Sequence, residues 1–94
     1  MSKSIVDNNK SCFVCGDERN LDRHHIFYGM ANRRISEEDG CWVYLCKKHH
    51  TMSNVAVHEN HPFDITLKKL TQKIWEETYG TRTEFIKRYG RNYL

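Results

Sequence analysis

The chain has 94 residues, of which 38% are apolar, with a mean hydropathy of −0.79 and a formal charge of +3. That length excludes two independent cores, and so lean an apolar content leaves room for a structural ion to supply stability. No apolar run approaches the roughly eighteen residues of a membrane span. Met1–Ser4 leads into no hydrophobic signal region, so a cytoplasmic protein with no membrane partner is expected.

In chain order, residues 1–10 are polar and read as a frayed or loosely docked terminus. Cys12-Phe13-Val14-Cys15 follows, closed by Gly16, which can take the positive φ of a tight turn. Residues 21–28 read as a short strand, Gly29–Arg34 as a loop carrying two arginines, and Ser36–Asp39 as a single helical turn stopping at Gly40. Cys41–Leu45 is the clearest strand, rich in β-branched and aromatic types, and runs into Cys46-Lys47-Lys48-His49. A short helix is expected from His49 to about Val57.

Pro62 falls in the connection before a long helix. Leu67, Leu70, Ile74 and Tyr79 recur near helical spacing there, with Lys68, Lys69 and Lys73 on the wet face and Gly80 as the stop. Thr81-Arg82-Thr83-Glu84 fits a capping box that opens a last helix, with Phe85, Ile86 and Tyr89 buried and Gly90 ending it. Trp42 and Trp75 read as core anchors, and Cys41 as a buried small side chain. The expected fold class is α+β, one domain over 1–94, with a core over 11–58 and a helical tail over 63–94 packed on it.

Two ligand pairs at two-residue spacing, Cys12/Cys15 and Cys46/His49, are what a tetrahedral zinc site requires. Three thiolates and an imidazole close the shell, so this ion would hold the fold and do no chemistry. Two disulfides are the rival use of four cysteines, and the interleaved histidines count against it. A rival zinc shell would take His24 or His25 in place of His49.

The order of Cys12, Cys15, His24-His25-Ile26, Cys46, His49 and His50 resembles the zinc-knuckle subgroup of the HNH nucleases, over about Cys12–His58. The helical tail is similar to that of small bacteriophage HNH proteins. The resemblance implies a ββα-metal core and metal-dependent hydrolysis of DNA phosphodiester bonds. His25 would be the general base, and His24, His50 and Asn54 would hold a catalytic divalent ion such as Mg or Mn, with His58 competing for Asn54's place. Such chemistry needs a base that is partly neutral at pH 7 and a Lewis acid with open positions.

The family's middle Asn, nine residues before the helix ligand, is Cys41 here. Asn32 is a candidate to take over its task of holding the loop that bears the base. Arg33, Arg34 and Arg23, with Arg19 beside them, are candidates to bind nucleic-acid phosphates through paired donors. The bland alternatives are a solvated surface for these arginines, a polar helix face for His50 and Asn54, and exposed surface for His58 and His61. A non-catalytic module derived from the same scaffold, binding nucleic acid or inhibiting a host or phage protein, is the rival function.

Overall fold

The computed structural model of the protein describes residues 3–50 and 60–94. Its elements are β1 (Leu21–His25), α1 (Met30–Asp39), β2 (Trp42–Cys46), α2 (Lys47–His50), α3 (His61–Thr78) and α4 (Arg82–Tyr89). The class is α+β. No helix among the described residues is long and apolar enough to cross a membrane. Asn54, His58 and most of the helix expected to reach Val57 lie outside the described residues.

The two strands pair antiparallel, with Leu21 opposite Cys46, His24 opposite Val43 and His25 opposite Trp42. β1 is shorter than the 21–28 strand expected: the Ile26 amide still donates to the Cys41 carbonyl at 2.9 Å, but the Phe27 backbone bonds Ser36 of α1, and both side chains are fully buried in the core. The largest departure is α1, which occupies the stretch expected to be a loop before a single turn. Met, Ala and Arg are strong helix formers, and no β-branched residue interrupts Met30–Arg34. The helix is fastened inside by Ser36, whose buried hydroxyl donates to the Phe27 carbonyl at 2.7 Å and accepts from the Phe27 amide at 3.2 Å.

Gly40 ends α1 in the left-handed region at φ +75°, and its amide returns to the Ser36 carbonyl. A Cβ at Gly40 would sit 2.1 Å from the Lys3 carbonyl oxygen, so the site excludes every other residue. This close approach exists because the N-terminus is docked from Ser4 onward, more firmly than the frayed or loosely docked segment expected. The buried Ser4 hydroxyl donates to the Trp42 carbonyl at 2.5 Å and accepts from the Val6 and Asp7 amides, while Asn8 bonds the Ser4 backbone at 2.7 and 2.8 Å. Polar side chains here are spent on a local turn, not on solvent.

The tail packs through aromatic rings. Phe27 meets Phe85 and Tyr89 at centroid distances of 5.1 and 4.7 Å, and Trp75 meets Phe85 at 5.3 Å. Asp39, at the end of α1, binds the tail by charge. It accepts from Trp75 Nε1 at 2.9 Å, from the Tyr89 hydroxyl at 2.9 Å and from Arg88 through two bonds at 2.6 and 2.7 Å. Burial would raise the Asp39 carboxyl, but the Arg88, Trp75 and Tyr89 donors overcome it and hold the group below the ordinary aspartate value of 3.8.

The buried stripe of α3 is Asp64, Leu67, Lys68, Thr71, Gln72 and Trp75, which follows helical spacing one step round from the stripe expected. Leu70 and Tyr79 are instead 41% and 50% exposed, and Ile86 of α4 is also exposed. Lys68, expected on the wet face, is buried and paired with Asp64 at 2.7 Å. The capping box forms as expected, with the Glu84 amide donating to Thr81 Oγ1 at 3.2 Å and the Thr81 amide to Glu84 Oε1 at 3.0 Å. Pro62 lies in the first turn of α3 itself, where its missing amide costs nothing, and Asn60 caps the Phe63 amide.

Candidate functional site

Two histidine-bearing regions flank the hairpin. The first is the Cys3His cluster, whose four donor atoms on Cys12, Cys15, Cys46 and His49 lie within 4.8 Å of one another. Turns build it. The Gly16 amide returns to the Cys12 carbonyl at 2.8 Å with Gly16 at φ +78°, while the Phe13 amide donates to the Tyr44 carbonyl at 2.8 Å and brings the loop against β2. Cys46 ends β2 and His49 stands three residues on in α2. Cys15 Sγ is 3.7 Å from Cys46 Sγ, and His49 Nδ1 is 3.3 Å from Cys46 Sγ and 3.7 Å from Cys12 Sγ.

Tetrahedral zinc with bonds of about 2.3 Å to sulfur and about 2.0 Å to nitrogen needs donors about 3.5–3.8 Å apart. The cluster therefore has the size and donor set of a structural zinc site. Burial alone would push the Cys12 thiol up, but the backbone amides of Cys46, Cys15 and Val14 outweigh it and bring the group down to about 6. One thiolate is thus favoured before any metal arrives. None of the four cysteines is in a disulfide, and His49, not His24 or His25, completes the set.

The second region is a cleft of about 300 Å³ lined by Arg23, His24, His25, Tyr28, Arg33 and His50. β1 deals its side chains to two sides. Asp22 and His24 face α2, where the ring of His24 (2% exposed) lies 5.3 Å from that of His50 between centroids, at an interplanar angle of 65°. Asp22 Oδ2 is 3.0 Å from His50 Nδ1, and Lys47 binds the other carboxylate oxygen. The Lys47 bond holds the Asp22 carboxyl below its ordinary value against burial, with His50 adding to it. An ionised carboxylate only accepts, so a neutral His50 carries its proton on Nδ1 and its lone pair on Nε2.

Arg23 and His25, two residues apart on β1, both reach Glu37 on α1. His25 Nε2 is 2.8 Å from Glu37 Oε1, and Arg23 Nη1 donates to Glu37 Oε2 at 2.6 Å. The Arg23 guanidinium also lies 3.8 Å from the Trp42 ring centroid. Burial would raise the Glu37 carboxyl, but its bonds to His25 and Arg23 bring it below the ordinary value.

His24, His25 and His50 thus share one cleft with Arg33 and Arg23. Arg33 and Arg34 are exposed, and Arg34 pairs with Glu38 at 3.4 Å. Tyr28 forms the far wall, its hydroxyl donating to Asp64 at 3.0 Å and its ring lying 3.9 Å from Lys68 Nζ. Cys41 is fully buried, with burial pushing its thiol up to about 12 and the Tyr89 hydroxyl 3.4 Å from its sulfur. Asn32 donates to the Tyr89 carbonyl at 3.1 Å, tying α1 to α4, and not to the segment bearing His25. Asp22 and Glu37 were not singled out from sequence, since a carboxylate in a polar stretch gives no signal of its partner.

Comparison of the chain with protein-family models, curated proteins and solved structures finds no match. Among the described residues, Cys12, Cys15, Cys46 and His49 form the single group of three or more Cys, His, Asp or Glu donors that converges on one point.

Proposed function

We propose that the cleft hydrolyses DNA phosphodiester bonds in the manner of an HNH endonuclease, with His25 as general base. The observation that carries this is the sharing of one cleft by His24, His25 and His50, with two of the rings 5.3 Å apart and an exposed Arg33 beside them. Two imidazoles binding one divalent ion place their centroids about 4.5–5.3 Å apart between octahedral and tetrahedral angles, so the 5.3 Å between His24 and His50 supports a shared ion. In this reading Asn54 would add a third donor, and Asp22, bonded at His50 Nδ1, would leave Nε2 to hold the ion. The ion, Mg or Mn or a similar divalent cation, would supply Lewis acidity at the scissile phosphate.

His25 draws a proton from the attacking water, and Arg33 holds the phosphate by charge. The Cys3His cluster fixes the end of β2 and the start of α2, and so the spacing of His24 and His50. The buried thiol of Cys41 favours a second reading, a non-catalytic module that binds nucleic acid or a partner protein, because the family's Asn is missing at that position. Nicking of supercoiled plasmid by the zinc-loaded protein, titrated with Mg and Mn, separates the two. Metal-dependent nicking that is lost in His25→Ala, with zinc and melting temperature retained, supports the endonuclease. Absence of nicking under every metal supports the binding module.

A further inference from the structure

A general base works through one nitrogen, so something must fix which nitrogen of His25 holds the lone pair. His25 is the last residue of β1, followed by Ile26 and Phe27, whose side chains are fully buried in the core. Neither residue that stands where a holding group was expected performs this task. Cys41 turns into the core, and Asn32 donates to the Tyr89 carbonyl.

Glu37 reaches the ring instead, with Oε1 2.8 Å from Nε2, a charge-assisted distance. Its other oxygen accepts from Arg23 at 2.6 Å, and Arg23 is backed by the Trp42 ring at 3.8 Å. Trp42, Arg23, Glu37 and His25 form a row anchored on β2, β1 and α1. The strand period of two brings Arg23 and His25 to the same carboxylate.

We infer that Glu37 is the positioning residue of His25: its carboxylate holds the Nε2 proton, leaves the lone pair on Nδ1, and stabilises the imidazolium formed during the reaction. As a role in catalysis this rests on the endonuclease reading above. Water gives its proton to Nδ1, and its oxygen forms the new bond to phosphorus. The ester P–O bond breaks with its electron pair on the departing oxygen, which takes a proton from solvent. Glu37 touches neither substrate nor water and acts through the ring alone.

Proton–nitrogen NMR of the imidazole region, on the full zinc-loaded chain, tests the bond apart from activity. The His25 Nε2–H signal, assigned by its loss in His25→Ala, is expected far downfield and slow to exchange. It should vanish in Glu37→Ala and move upfield in Glu37→Gln, whose amide oxygen accepts without charge. In plasmid nicking, Glu37→Ala should lower kcat about 10- to 100-fold with KM unchanged, the usual loss for a group that orients a working one. Survival of the signal in Glu37→Ala, a KM that rises as kcat falls, or a Glu37→Gln protein matching wild type in both signal and kcat would overturn the inference. Should Glu37→Ala fail to fold, Glu37→Gln decides by the same readouts. A signal that follows Glu37 in a protein that nicks no DNA keeps the positioning role and removes the endonuclease reading.

Discussion

The Cys3His cluster and the imidazole cleft sit on the same hairpin, yet they are held in opposite ways. In the cluster four donors lie within 4.8 Å, placed by two short turns and the end of one strand. In the cleft three polar side chains are aimed by partners on other elements: His50 by Asp22, His25 by Glu37, Tyr28 by Asp64. The cluster is closed geometry with no position left for a substrate. The cleft is open geometry, and its order comes from carboxylates around its rim. A metal can stabilise the first alone, whereas the second also depends on α1 and α3.

Breaking the cluster should have the largest effect. Chelation of the ion, or Cys46→Ala, should unfold the hairpin, because structural zinc contributes about 10–16 kcal/mol in small zinc-dependent folds. Far-UV circular dichroism with metal analysis reads this directly. Retained secondary structure in the stripped protein would show that the core of Phe27, Trp75 and Phe85 suffices without the ion. In the cleft, His25→Ala should instead leave zinc and fold intact while cutting nicking by about 10²–10⁴-fold, the range for a lost general base.

Next in size is Asp39→Ala, which strips Arg88, Trp75 and Tyr89 of their acceptor. A loss of about 1–3 kcal/mol is expected in urea unfolding, because the buried Trp75 and Tyr89 donors lose their acceptor while the part-exposed Arg88 returns to water. The same group sharpens the comparison by pH. Its folded value lies below the ordinary 3.8, so its stabilisation is complete above 3.8 and is lost as pH falls through the lower folded value. An acid-unfolding curve of Asp39→Asn should lack that component. Smallest is Arg33→Ala, which should weaken DNA binding on all sequences alike and reduce the salt slope by about one unit. An unchanged slope would place the nucleic acid elsewhere.

Legibility followed the same division. The Cys3His set was visible because its spacing is local, and the capping box at Thr81–Glu84 was visible for the same reason. The hairpin was readable from β-branched and aromatic composition in Cys41–Leu45. The first strand's true end was not, since Phe27 looks like a strand residue and turns from the hairpin because Ser36 takes its backbone bonds and the tail packs on its ring. α1 was missed because Gly29 and two arginines imitate a loop, while the bonds from Ser36 to Phe27 that fasten it are long-range. Lys68 is buried because Asp64 and Tyr28 enclose it, a pairing that charge patterning cannot register.

The wall formed by Tyr28 has a consequence for what the cleft admits. Its hydroxyl is tethered to Asp64 and its ring faces Lys68, both on α3, so the bore of the opening is gauged by a helix beyond the hairpin. The tail is the jamb of this doorway. A segment spanning residues 12–50 transplanted onto another scaffold would carry all four donors of the Cys3His cluster with it and leave the width of its entrance behind.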